Sequence, residues 1–193
     1  MNDSRRIVIG YHGCDQSTFD RIVISGKPFS SSKNDYDWLG SGIYFWQDDP
    51  LRAKEFAVEK KYDHPAVIGA VIDLGNCLNL HTRAAIEMLK QSYHDLESSA
   101  EMSGLPMPKN LIKDDGGFSM LRKLDCAVIE NVHKIREDDP PLDTVLGIFQ
   151  ESKTIYEGAG FMEKTHIQIC VRNDERILGV FIPNTRYFAG NIF

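Results

Sequence analysis

A chain of 193 residues, 42% of them hydrophobic, is long enough to bury a normal core, suggests a single domain, and is too apolar for disorder. Its net charge of −6 argues against a surface dedicated to nucleic acid or anionic membrane, which needs a Lys and Arg excess to neutralise phosphates. Cys14, Cys77, Cys126 and Cys170 show no Cys-x-x-Cys spacing, and His64, His81, His94 and His133 lie in separate polar segments, so the pattern indicates no metal site and suggests reduced, buried thiols.

The apolar run after Met1-Asn2-Asp3-Ser4-Arg5-Arg6 is too short for a signal h-region and no stretch approaches a membrane span, which gives the expectation of a soluble cytoplasmic protein. Arg6 to Gly13 reads as a β-branched first strand ending at His12, which Gly13 follows. Phe19, Ile22 and Val23 stand at helical spacing with Gly26 as the stop, so a short helix follows. Residues 27–39 have loop composition with serines, aspartates and the aromatics Tyr36 and Trp38, a candidate lid. Next, Leu39-Gly40-Ser41-Gly42-Ile43-Tyr44-Phe45-Trp46 describes a tight turn that runs into a strand. Alternation sends Tyr44 and Trp46 to one face and Ile43 and Phe45 to the other.

Asp48-Asp49-Pro50 starts a helix with an aspartate cap and a proline in its first turn; Ala53, Phe56 and Ala57 form its apolar stripe. Ala66 to Leu74 is a nearly unbroken β-rich run, expected as a central strand buried on both faces. From Thr82 to about Met102 the sequence is helical and polar, with Ile86, Leu89, Tyr93 and Leu96 as its stripe. Breaks at Gly104 to Pro108 and at Asp114-Asp115-Gly116-Gly117 lead to a short helix over residues 118–124 and a strand over Cys126 to Glu130. After a charged turn at Arg136 to Pro141, three further strands are expected at Thr144 to Phe149, Ile167 to Val171 and Ile177 to Ile182. The whole is an α+β domain spanning residues 1–193, with a β-sandwich-like core and a helical insertion over about residues 82–124. That block carries one apolar stripe, so it is expected to dock beside the core without lining a ligand site.

Tyr11-His12-Gly13 at the end of one strand, Leu39 to Phe45 entering the next, and a helix holding Ala53 and Phe56-Ala57 resemble the NAD-binding core of the ADP-ribosyltransferase superfamily. The likeness is to its His-Tyr-Glu branch, which contains the diphtheria-toxin-like and poly-ADP-ribose-polymerase-like enzymes. It covers the first sixty or so residues well and the last thirty loosely. The resemblance implies a split sandwich that takes NAD as substrate and transfers ADP-ribose to an acceptor, or to water, with release of nicotinamide. It implies that His12 bonds a ribose, that Gly13 holds the nicotinamide carboxamide, and that Tyr44 stacks on the nicotinamide ring. The implied donor site also takes in Gly40 and Gly42, with Ser30 and Tyr36 from the loop over the donor. Tyr156 to Lys164 would be the acceptor-side loop.

The third residue of that branch is a glutamate near the start of a late strand, and here Gln168 stands in its register. An amide forms hydrogen bonds to a ribose hydroxyl but carries no charge and takes no proton. Gln168 is therefore the first candidate for the third position and Glu163 the second, with Glu151 as a further source of a carboxylate. His166, two residues from Gln168, shares its face and is a candidate lining residue. Two other readings stay open. A non-catalytic protein could bind NAD or ADP-ribosylated partners, and an enzyme of this fold could act on RNA 2′-phosphate, which calls for more Arg and Lys than this chain places near the motifs.

Overall fold

A computed structural model describes residues 5–112 and 120–188. The break expected at Asp114 to Gly117, and the first residues of the helix expected after it, lie outside the described residues; of the rest of that segment, Met120–Leu121 form a strand rather than a helix, and α-helix begins at Lys123. The described elements are β1 (Ile7–Asp15), α1 (Gln16–Phe19, continued by a π-helical turn at Asp20–Ile24), β2 (Ile43–Gln47), α2 (Pro50–Glu59), β3 (Pro65–Asp73), β4 (Cys77–Asn79) and α3 (Arg83–Ser103). There follow a two-stranded ribbon of β5 (Leu111–Ile112) and β6 (Met120–Leu121), then α4 (Lys123–Ile135), β7 (Thr144–Thr154), β8 (Met162–Val171) and β9 (Ile177–Phe181). Among the described residues no helix is long and apolar enough to cross a membrane.

The strands expected as a sandwich-like core form one mixed seven-stranded sheet in the order β4-β7-β8-β2-β1-β3-β9, with β4 and β7 parallel and the other neighbours antiparallel. The sheet nearly splits in the middle. β1 pairs with β3 along its whole length, whereas its pairing with β2 is confined to Gly10 with Gln47 and Tyr11 with Trp46. Beyond Tyr11 the ladder between the two strands stops, while the two halves of the sheet still share a core. Ala70 and Ile72 of β3 accordingly share one buried cluster with Ile43 and Phe45 of β2, Leu146 of β7 and Ile169 of β8. Gly10 makes that closeness possible, since a Cβ there would lie 2.7 Å from Ile72 Cδ1 and 2.8 Å from Phe45 Cβ. Burying side chains of this size stabilises by about 1.5–3 kcal/mol each.

A second cluster joins the other face of β7 and β8 to α3 and α4, with Leu78, Val145 and Cys170 against Ala85, Ile129 and Val132. Here the structure corrects the sequence reading. Cys126 to Glu130 is not a strand but part of α4. Cys126, Ile129 and Val132 repeat every three residues, so a helix buries all three, and local β-propensity gives way to that packing. On α3 the buried positions are Ala85 and Ser92, while Ile86 is 40% exposed, and the Ser92 hydroxyl donates to the Val128 carbonyl of α4. Thr82 caps α3 through Ala85 N, and Asp49 caps α2 through Arg52 N. β3, expected at the centre of the sheet, lies next to the edge strand β9.

Candidate functional site

The split between β1 and β2 opens into a cavity of about 870 Å³. His12 and Gly13 from the end of β1, Tyr44 and Trp46 from β2, and Gln168 from β8 form its walls. Arg52 and Phe56 from α2 and residues of the 30–38 loop close it. Gly13 has a steric reason to be glycine: a Cβ there would fall 2.0 Å from the Ala53 carbonyl oxygen, so α2 rests directly on the β1 backbone. Cys14 also lines the cavity, but burial pushes its thiol up to about 12, which leaves it a packed thiol rather than a nucleophile.

His12 stands where the β1–β2 ladder stops. Its Nδ1 donates to the Tyr44 carbonyl oxygen at 2.8 Å, and its ring packs edge-on against Phe29 at 5.3 Å between centroids. Burial lowers its basicity, and the carbonyl fixes the neutral tautomer, which leaves the Nε2 lone pair as an acceptor. Tyr44 is held just as firmly. Its hydroxyl donates to Gly40 O at 2.7 Å and accepts from Leu39 N at 2.8 Å, so the ring is pinned from its far end. With burial raising that phenol far above its usual range, Tyr44 presents a fixed aromatic surface and no titrating proton.

The turn that anchors Tyr44 is fastened from outside. Glu130 of α4 accepts from Ser41 N and pairs with Arg172 at 2.8 Å, and Arg172 donates to Ser41 O at 3.0 Å. Gly40 has φ +78°, and a Cβ on it would meet Glu130 Oε1 at 2.6 Å. Only glycine fits there. Gly42 meets the same limit, with Cys170 Sγ 2.4 Å from the position of its missing Cβ.

On the β7–β8 side, Gln168 faces Trp46 across one ladder and Gly147 across the other. Period-two alternation brings Phe149 and Glu151 of β7 to the same face as His166 and Gln168 of β8. Along this face Gln168 Nε2 donates to His166 Nε2 at 3.0 Å, and His166 Nδ1 donates to Lys164 O at 3.1 Å. Burial holds the His166 imidazole neutral against the nearby Glu151, consistent with this donor pattern. The Gln168 Oε1 is left as an acceptor. Arg52, 7% exposed, joins the strands to α2 by pairing with Glu151 at 3.2 Å and Glu59 at 3.4 Å, while Lys164 pairs with Glu59 at 2.7 Å.

The 30–38 loop lies over the cavity and is tied at both ends. Ser32 and Gly42 exchange two backbone hydrogen bonds of 2.8 and 3.0 Å. At the other end Lys123 pairs with Asp35 at 2.7 Å, and the Arg122 guanidinium stacks 4.3 Å from the Trp38 ring and 5.1 Å from Phe149. Leu121 itself lines the cavity, so the helical block expected to stand apart from the site takes part in it.

Of the residues singled out from the sequence, His12, Gly13, Ser30, Tyr36, Gly42, Tyr44, Glu151 and Gln168 line this one cavity. Gly40 acts from behind, as the anchor of Tyr44. The His166 side chain is fully buried behind Gln168 and is not a lining group. Glu163 is exposed, accepts from Ser152 Oγ at 3.0 Å and lies off the cavity wall. Arg52 is a further cavity residue that the sequence reading does not single out. Its i, i+3 and i, i+7 carboxylates, Glu55 and Glu59, were a signal for an ion-pair network, but nothing local to α2 pointed to Glu151. No family model matches the chain, and no curated protein and no solved structure is significantly similar to it.

Proposed function

We propose that this protein is an NAD-dependent ADP-ribosyltransferase-like enzyme, cleaving the nicotinamide–ribose bond of NAD and passing ADP-ribose to an acceptor. The observation that carries the reading is the convergence of the neutral His12, the pinned ring of Tyr44 and the Gln168 amide on one cavity at the split of the sheet. Three elements far apart in sequence deliver groups of the kinds this reaction needs. Breaking that bond builds positive charge at the anomeric carbon, so the leaving nicotinamide must be held and the ribose hydroxyls oriented. In this reading the Tyr44 ring stacks on nicotinamide, the His12 Nε2 accepts from one ribose hydroxyl, and Gln168 Oε1 accepts from the other. Arg21, whose guanidinium donates to Pro28 O at 2.6 Å beside Ser30, stands where the loop and α1 meet and supplies positive charge for the diphosphate.

A second reading, an NAD-binding protein without turnover, is favoured by the uncharged Gln168 in the register where the His-Tyr-Glu branch has glutamate. One experiment separates them. Calorimetry with NAD measures binding, and chromatography of the same mixture measures free nicotinamide. Binding with nicotinamide release supports the enzyme, binding alone supports the second reading, and no binding sinks both.

A further inference from the structure

The carboxylate missing from β8 has a counterpart one strand away. Glu151 of β7 pairs in register with Lys164, four residues along from Gly147, which faces Gln168. Alternation therefore gives Glu151 the face that Gln168 occupies, and both line the cavity. Its side chain is 16% exposed, a carboxylate mostly withdrawn from water yet open to the cavity. Oε1 accepts from Arg52 Nη2 at 3.2 Å, and Oε2 takes no part in that pair. His166 Nε2 lies 3.5 Å from Glu151 Oε1 and 3.0 Å from the Gln168 amide nitrogen, so one ring nitrogen stands between the carboxylate and Gln168.

Arg52 holds the Glu151 side chain in place, which a general base requires because the cost of orienting it is met before substrate arrives. Burying such a carboxylate for packing alone would be unfavourable. Glu163 lacks these features, being exposed and off the cavity wall.

We propose that Glu151 is the catalytic carboxylate of this site and that it acts on the acceptor side, with a neutral hydroxyl nucleophile, water included, as its substrate class. The inference rests on the NAD-cleaving reading above. In the step, the C1′–N bond of NAD breaks and its electron pair leaves with neutral nicotinamide. The oxygen of the nucleophile forms the new C1′–O bond, and its proton passes to Glu151 Oε2, which later returns it to solvent. Arg52 and Glu59 already balance part of the local charge, so an uncharged nucleophile suits this corner better than an anion.

The test uses the full chain with NAD as donor and water as nucleophile. Glu151→Gln should lower kcat for NAD hydrolysis by about 100-fold or more, within the usual range for loss of a general base. It should leave the calorimetric NAD affinity within about twofold. Glu151→Asp, which keeps the charge and guards against misfolding of the amide variant, should retain part of the activity. Hydrolysis by Glu151→Gln within threefold of wild type overturns the inference, as does loss of NAD binding in that variant, which would make Glu151 a binding group. A wild-type protein that binds NAD and releases no nicotinamide also overturns it while leaving NAD binding standing. A wild-type protein that fails to bind NAD removes the functional reading itself.

Discussion

His12 Nδ1 donates to the carbonyl oxygen of Tyr44 at 2.8 Å, and this one bond stands where the β1–β2 ladder is interrupted. A side chain satisfies a carbonyl that a neighbouring strand would otherwise have satisfied, so the sheet can part without leaving a buried acceptor unpaired. The bond also sets which ring nitrogen faces the cavity as an acceptor. His12→Ala should therefore act twice. Its loss should destabilise the fold by about 1–3 kcal/mol, as an orphaned buried carbonyl does, and weaken NAD binding by about tenfold. Urea denaturation and calorimetry read the two effects separately, and an unaltered NAD affinity would remove His12 from the site.

Tyr44 permits a cleaner dissection because its ring and its hydroxyl do different work. Tyr44→Phe keeps the ring and drops the bonds to Leu39 N and Gly40 O, so it should cost stability, by about 1–2 kcal/mol, more than affinity. Tyr44→Ala removes the stacking surface and should weaken NAD binding by about 1 kcal/mol or more. Equal affinity in the two variants would show that the ring is not part of the binding surface.

The anchor turn gives a prediction about backbone. Gly40→Ala places a Cβ 2.6 Å from Glu130 Oε1 at a φ of +78°, so both the conformation and the Glu130–Arg172 pair resist it. A loss of about 1–3 kcal/mol is expected, from left-handed strain and a displaced ion pair. Glu130→Ala combined with Gly40→Ala should lose less than the two single losses together, because removing the carboxylate opens the space. Additive losses in that double-mutant cycle would show that the two residues are not in contact.

Stability should also fall on mild acidification. Burial lowers the pKa of His12 and His166, and that of His133 to about 4, with Arg172 as the next cause for His133. A histidine with a folded-state pKa below its unfolded value binds fewer protons when folded, so stability rises with pH between the two values. It is fully present above about pH 6.5 and is lost as pH falls from there toward about 4. The carboxylates with lowered pKa, Glu130 and Asp143, add their own loss at still lower pH. His133→Gln should reduce the loss of stability between pH 6.5 and 4 by an amount of order 2 kcal/mol, discounted for the partial exposure of the ring and read as a shallower fall of the melting temperature. A slope unaffected by that change would assign the acid sensitivity to other groups.

How much of this the sequence made legible depended on range. Elements fixed by near neighbours were readable: Asp49-Pro50 starting α2, Thr82 and Gly104 bounding α3, and the glycines entering β2 all appear where local chemistry puts them. Residues 126–130 were misread because their β-branched run and their helical spacing point to different structures, and only packing against α3 decides between them. Within the site, His12 and Tyr44 were visible because each sits in a short motif. The pairing of Arg52 with Glu151 was not, although Glu151 itself was a candidate carboxylate, since the two lie ninety-nine positions apart and meet only when β7 folds back beside α2. The clamp of Arg122 on Trp38 was hidden for the same reason.

Gln168 carries the last prediction, because its surroundings differ so sharply from those of Glu163, a carboxylate offered in its place. Gln168 is 8% exposed, lines the cavity and donates to His166, whereas Glu163 is exposed and bonds only to groups of its own hairpin, Ser152 and Lys153. Gln168→Ala should lower whatever turnover the protein has by removing an acceptor for the ribose. Gln168→Glu places a negative charge where positive charge develops and should raise NAD hydrolysis by about tenfold or more, since fixed charge at a forming cation acts mainly on the transition state. The neighbourhood can accommodate that charge: His166 lies 3.0 Å away and gains a second carboxylate beside Glu151, which should raise its basicity and let it pair with the new side chain. A His166 imidazole signal titrating at higher pH in the variant, followed by NMR, would report this pairing independently of activity. Glu163→Gln should be nearly silent. If instead Glu163→Gln abolished turnover while both Gln168 variants matched wild type, the working carboxylate would sit in the hairpin, and neither Gln168 nor its neighbours on β8 would belong to the reacting centre.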